Sequence, residues 1–227
     1  MEQGRIYSHF YSVKNLIIPR KEILRYMSCK QEDSAVKNLI DTLLPVVTDS
    51  LCLKGSFVYL PIECSNNEVY IEDTCIKSTV LAQNLKDCKS AVVFALTCGI
   101  NVDLLIKKHS AKSTSRAFCI NAIATAAIEE YANEFCSEIL AELKKENLCT
   151  RPRFSPGYGD LAIQNQNLFL NLTNASKLLG ITLTQNYMMM PSKSVTAIMG
   201  VSNKACNPQD SKCSICTQKQ CEFKGEE

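Results

Sequence analysis

The sequence predicts an α+β fold: a single domain of long helices packed on a mixed or antiparallel sheet, plus a short Cys-rich C-terminal tail. Residues 91–97 form a continuous apolar run, too short for a helix and suited to a strand buried on both faces. From about Ser115 to Glu146, Ile120, Ile123, Ala124, Ala127, Ile128, Tyr131, Phe135, Ile139 and Leu143 recur at helical spacing, which predicts one long helix. Of 13 cysteines in 227 residues, four (Cys206, Cys213, Cys216 and Cys221) fall within the last 22. They divide the chain into a body, residues 1–202, and a tail, residues 203–227.

In chain order, Pro19 to Cys29 reads as a short helix. Asp33 caps a second, running to about Leu53, with Val36, Leu39, Ile40, Leu43, Leu44 and Val47 as one apolar stripe. Pro45 is expected to kink or break it near its middle. Ser56–Ile62 is strand-like, and Pro61 is expected to confine that strand to an edge or end it. Val69–Ile71 is a short strand and Ser78–Leu85 a short helix. After the strand at residues 91–97, Gly99 precedes a helix from about Val102 to His109. Asn174 reads as the cap of a last short helix that Gly180 stops. Two strands, Thr182–Met189 and Ser194–Val201, close the body.

Composition excludes several classes. Hydrophobic residues at 46% and charged ones at 21% are those of a folded globular chain. A net charge of +2 gives no global attraction to polyanions. No apolar run reaches the roughly 18 residues of a membrane span, and the N-terminus shows no signal-peptide pattern, so a cytoplasmic protein is expected. There thiols stay reduced, and the nine scattered cysteines, mostly among aliphatic neighbours, read as small core residues.

The least ordinary stretch is Arg151-Pro152-Arg153-Phe154-Ser155-Pro156-Gly157-Tyr158-Gly159-Asp160, directly after the long helix. Two prolines stiffen it, the glycines permit close backbone approach, and Arg and Tyr offer a planar fork and a ring. That set suits a small ligand with a carboxylate and a flat heterocycle. A connector loop shaped by its Gly and Pro is the competing reading.

Residues Arg153–Asp160 resemble the ligand-binding loop of the activation (reactivation) domain of vitamin B12-dependent methionine synthase, in its short stand-alone form. Cys98–Asp103 with the Ala-rich helix after it, Met190–Ile198 and Glu22–Met27 are similar to further segments of that family, so the resemblance spans roughly residues 20–202. It implies a domain that binds S-adenosylmethionine in a shallow groove and offers its methyl group to a corrinoid. The cobalamin is carried by a corrinoid-binding methionine synthase or methyltransferase subunit, and a flavodoxin- or ferredoxin-type donor supplies one electron to cob(II)alamin. The protein's part is then positioning, in keeping with a chain whose two histidines, His9 and His109, are remote from the loop in sequence.

By the same resemblance Arg153 contacts the ligand carboxylate, and Ser155, Gly157 and Tyr158 line the cofactor. Asp103 and Arg116 support the site or form a surface or helix-cap pair. Where the fused synthase continues Gly-Tyr into Pro-Ala-Cys-Pro-Asp, this chain has Gly159-Asp160. The fused domain's acidic ligand residue on the long helix aligns with Ala126, with Glu129 nearby, and a late Tyr has no counterpart.

The tail spacing, Cys206-x6-Cys213-x2-Cys216-x4-Cys221, places four thiols within 16 residues. Four thiolates can close a tetrahedral zinc or anchor an iron–sulfur cluster, and a metal would supply folding energy that so few apolar residues cannot. A disordered reducing tail and a redox dithiol at Cys213/Cys216 are the alternatives. This leaves a second function class, a metal-binding accessory or electron-transfer protein that has lost S-adenosylmethionine. Nucleic-acid binding is not expected, because Lys204, Lys212, Lys219 and Lys224 are balanced by Asp210, Glu222, Glu226 and Glu227.

Overall fold

The computed structural model describes residues 1–204. The elements are β1 (Ile6–Phe10), α1 (Arg20–Tyr26), α2 (Ser34–Ser50), β2 (Lys54–Cys64), β3 (Glu68–Ile71), β4 (Thr74–Lys77), α3 (Thr79–Asn84) and β5 (Ser90–Thr97). They continue as α4 (Ile100–Ser110), α5 (Thr114–Lys144), β6 (Cys149–Thr150), α6 (Gln166–Leu172), α7 (Ala175–Leu179), β7 (Thr182–Leu183), β8 (Met189–Met190) and β9 (Ser194–Ser202).

The main sheet runs β4-β3-β2-β5-β9-β6, with β1 also paired to β2, and every pairing is antiparallel. As the apolar run implies, all of β5 is buried, and its side chains alternate between two layers. Val92, Phe94 and Leu96 join the core under α1, α2, α4 and α5; Ala91, Val93 and Ala95 face the side covered by α3, α6 and α7. Helix α5 is the spine of the first layer. Its buried Ala122, Ala124, Ala126, Ala127 and Ala132 let neighbouring helices approach closely, while Tyr131 and Phe135 reach the sheet.

Several expectations need correction. Helix α2 is capped by Asp33, whose carboxylate accepts from the Val36 amide at 2.8 Å, but it runs unbroken through Pro45. Pro45 lies on the exposed face, so water can serve the carbonyl that loses its partner, while buried Ile40, Leu43 and Val47 hold both halves. Nor does Pro61 end β2 or confine it to an edge. Tyr59 accepts a backbone bond from Gly4 on the β1 side, and alternation turns Pro61 the same way, into the gap between the ends of β1 and β3. Thr182–Met189 is not one strand; its ends form the two-residue hairpin of β7 and β8. Asn174 stands at the N-cap of α7 in a left-handed conformation (φ 51°) without a side-chain cap bond, whereas Gly180 does stop that helix (φ 71°). Strands β1 and β4 and helix α6 were not expected. Of the nine body cysteines only Cys88, Cys98 and Cys119 are buried, and none is in a disulfide.

Candidate functional site

The loop after α5 is built onto the sheet before it turns away. Arg151 donates its amide to Gly200, and Phe154 and Ile198 exchange two backbone bonds of 2.8 Å, so residues 151–154 run alongside β9. The turn is closed by Gly157 donating to the Leu161 carbonyl at 2.8 Å and by Tyr158 donating to Ser155 at 3.2 Å. Gly157 (φ 95°) and Gly159 (φ 54°) occupy the left-handed region, where a side chain is strained. A Cβ on Gly157 would also come within 3.1 Å of Ile163.

Asp160 fixes the far end. Its carboxylate accepts from the Ser78 hydroxyl, from the Thr79 amide at 2.7 Å and from the Val80 amide at 3.2 Å, capping α3 from a distant part of the chain. Burial alone would raise its pKa, but these donors prevail and hold it below the usual carboxylate range. This role was not foreseen. Its signal was the Ser78–Thr79 helix start, which lacks an acid of its own.

Arg153 folds back onto α5. Its guanidinium donates to Glu129 Oε2 at 2.8 Å and to Asn133 Oδ1 at 2.7 Å, and its side chain is only 9% exposed. The acid facing it is therefore Glu129. Ala126, the position aligned with the acidic ligand residue, is packed in the core. Thr125, Glu129 and Asn133, one helical turn apart, form one face of α5. Thr125 Oγ1 accepts from Lys193 Nζ at 3.1 Å. Burial pushes the Lys193 amine below its usual range, against the opposing charge of Asp103. Lys193 was missed: a lysine before a strand carries no pattern that separates it from a solvated one.

Tyr158 is 64% exposed at the turn, Ser155 is half-buried and Gly157 exposed. At the end of α1, Tyr26 stacks under Arg25, with the guanidinium carbon 4.7 Å from the ring centroid. Burial raises the Tyr26 phenol, and the nearby Glu129 carboxylate and Tyr158 add to the rise. Tyr26, Glu129, Arg153 and Tyr158 thus lie around one edge of α5. Asp103 does not pair with Arg116. It accepts from the Ser192 amide at 2.8 Å and from its hydroxyl, tying α4 to the turn before β9. Arg116 lies in the first turn of α5, where its amide meets the Ser113 cap.

A guanidinium beside a carboxylate complements both ends of an amino-acid zwitterion, and the flanking tyrosines offer rings. Neither histidine is in the loop or in contact with Arg153. His9 bonds to Tyr131 at 2.9 Å and Glu138 at 2.8 Å, and His109 ends α4. Cys206, Cys213, Cys216 and Cys221 lie outside the described residues. Among the described residues no group of His, Cys, Asp or Glu is arranged to hold a metal, and no helix is long and apolar enough to cross a membrane.

Residues 65–222 match the family described as vitamin B12 dependent methionine synthase, activation domain. No curated protein matches the chain. Among solved structures, the fold is similar to a crystal structure of the MetH reactivation domain bound to AdoHcy, with a TM-score of 0.66 and 14% identity. That similarity covers 90% of this chain and 81% of the other. The match spans most of the sequence and contains the loop, α5 and β9, and the chain belongs to the vitamin B12-dependent methionine synthase activation domain family.

Proposed function

We propose that this protein binds S-adenosylmethionine between the α5 face and the Arg153–Asp160 loop and presents its methyl group to a corrinoid held by a partner. The partner is a cobalamin-dependent methionine synthase or a related methyltransferase subunit, and a flavodoxin- or ferredoxin-type protein supplies the electron that reduces its cobalt. Held by Arg153, Glu129 and Tyr158, S-adenosylmethionine would give its methyl carbon to the partner's reduced cobalt as the carbon–sulfur bond breaks and the neutral thioether leaves. Nothing in that step needs a protein acid or base, which suits a loop and helix face without histidine.

The observation that carries this reading is the placement of Arg153. In a loop that matches the family, its guanidinium is held against α5 beside Glu129, so one pair can meet the carboxylate and the ammonium of a methionine-type ligand. Tyr158 stands exposed at the same turn, available to cover a ring. The related reactivation domain was crystallised with AdoHcy, the demethylated form of the same cofactor.

Calorimetry on Arg153→Ala tests the assignment. A charge-assisted pair contributes about 1.5–3 kcal/mol, so S-adenosylmethionine affinity is expected to fall by about tenfold or more with the circular dichroism spectrum unchanged. Equal affinity in the variant would remove the site from this loop.

A further inference from the structure

One half-buried cation on the ligand face of α5 has no counter-ion among the described residues. Lys193 stands where the chain enters β9, and its backbone is fixed on both sides. Its carbonyl accepts from the Cys98 amide at 2.8 Å, and Ser194 pairs with Thr97 in the register of β5 and β9. Its Nζ donates to Thr125 Oγ1 at 3.1 Å; among the described residues it has no other hydrogen-bond partner and no ion pair. Thr125 cannot balance the charge, because its hydroxyl already donates to the Asn121 carbonyl at 2.8 Å and offers only a lone pair. Asp103 does not pair with the amine either, since its carboxylate is engaged by the Ser192 amide and hydroxyl. An ammonium carries three N–H donors, so two are left for a group outside the described chain. Withdrawing such a group from water for a single neutral acceptor is costly, and burial does push this amine below its usual range.

We infer that Lys193 binds the nucleoside half of the cofactor, donating its two remaining N–H groups to the ribose hydroxyls. The inference rests on the S-adenosylmethionine reading and adds a second anchor to it. The direction comes from α5. Thr125 and Glu129 are one turn apart, about 6 Å along the helix, so Lys193 and the Glu129–Arg153 pair mark two stations on one face. In the cofactor, the ammonium and the ribose hydroxyls are likewise separated by the methionine chain and its sulfur, a comparable span. With the carboxylate and ammonium taken by Arg153 and Glu129, the next acceptors along the ligand are those hydroxyls. Neutral acceptors suit the amine better than a second anion, because the Asp103 charge already acts on it. A donor pair committed to hydroxyls also separates ligands that carry the nucleoside from free methionine, which reaches only the first station.

Calorimetry on the full-length protein with S-adenosylmethionine and with 5′-methylthioadenosine, which keeps the nucleoside and sulfur but lacks the amino acid, tests the assignment. Lys193→Met keeps the stem and removes the donors. It is expected to bind both ligands about tenfold or more weakly, the loss of hydrogen bonds to a charged group. Arg153→Ala should lose affinity for S-adenosylmethionine alone, because 5′-methylthioadenosine does not reach that station. Lys193→Gln, which keeps an N–H donor, should recover part of the loss; a role confined to tying the turn to α5 would weaken both ligands only as far as the thermal midpoint fell. The inference is overturned if Lys193→Met binds 5′-methylthioadenosine as tightly as the wild type, or if the wild type binds S-adenosylmethionine and not the nucleoside. In both cases the cofactor reading stands. A wild-type protein that binds neither ligand removes that reading, and this inference with it.

Discussion

Asp160 shows how one side chain can hold a loop. Its carboxylate receives a hydroxyl and two amides at the start of α3, so the loop's last residue is welded to an element more than 70 positions earlier. Replacing it by Asn keeps the shape and removes the charge. Removing a negative charge from an exposed position at a helix N-terminus should cost about 0.3–1 kcal/mol, read as a lower urea midpoint at neutral pH. The folded-state pKa is lowered, so the contribution is complete above the unfolded carboxylate value and is lost as pH falls through the lower folded one. The gap between wild type and Asp160→Asn should therefore close in acid, and a constant gap would contradict the charged cap. Some of the site was legible at this scale: Arg153, Gly157 and Tyr158 stand out as chemically unusual in a loop. Glu129 entered only through the resemblance, as a neighbour of Ala126, and Lys193 not at all, because a Glu on a charged helix and a Lys before a strand look solvated until the fold places a partner beside them.

The same asymmetry holds for elements. Strand β5 and helix α5 were readable because burial on two faces and a long 3.6-residue period each leave a strong pattern. Strands β1 and β4 were not, since their exposed, mixed residues gain their identity from pairing with neighbours. Proline misled at both Pro45 and Pro61 because the cost of a missing N–H depends on where that N–H would point. In α2 it would point into the helix, and the penalty is still present although the helix survives. Pro45→Ala should restore one backbone bond on the exposed face. Proline in a helix interior is about 3 kcal/mol worse than Ala, and the larger unfolded-state entropy of Ala returns roughly 0.4–1 kcal/mol of that. The net expectation is a stabilisation of about 2 kcal/mol, seen as a raised thermal midpoint. A lower midpoint would mean that the proline ring packs favourably against its neighbours.

For the whole molecule, the family match and the folding unit do not begin at the same residue. The matched segment starts at residue 65, after β1, α1, α2 and β2. Yet β2 is an interior strand that pairs with β5 from Lys54 to Pro61 and carries β1 and β3 on its other edge. Phe57 of β2 stacks edge-on against Phe135 of α5 at 5.4 Å, and His9 of β1 reaches Tyr131 and Glu138 of the same helix. Helix α2 supplies Ile40, Leu43 and Val47 to the core under α5. Removing these elements would strip one layer of packing and turn β5, apolar on both faces, into an open edge that recruits other chains. A fragment of residues 65–227 is therefore expected to be insoluble or to lack a cooperative unfolding transition, while the full chain unfolds in one step. A soluble fragment with native-like circular dichroism would show that the first 64 residues are an addition to the domain. The structure makes them part of its core.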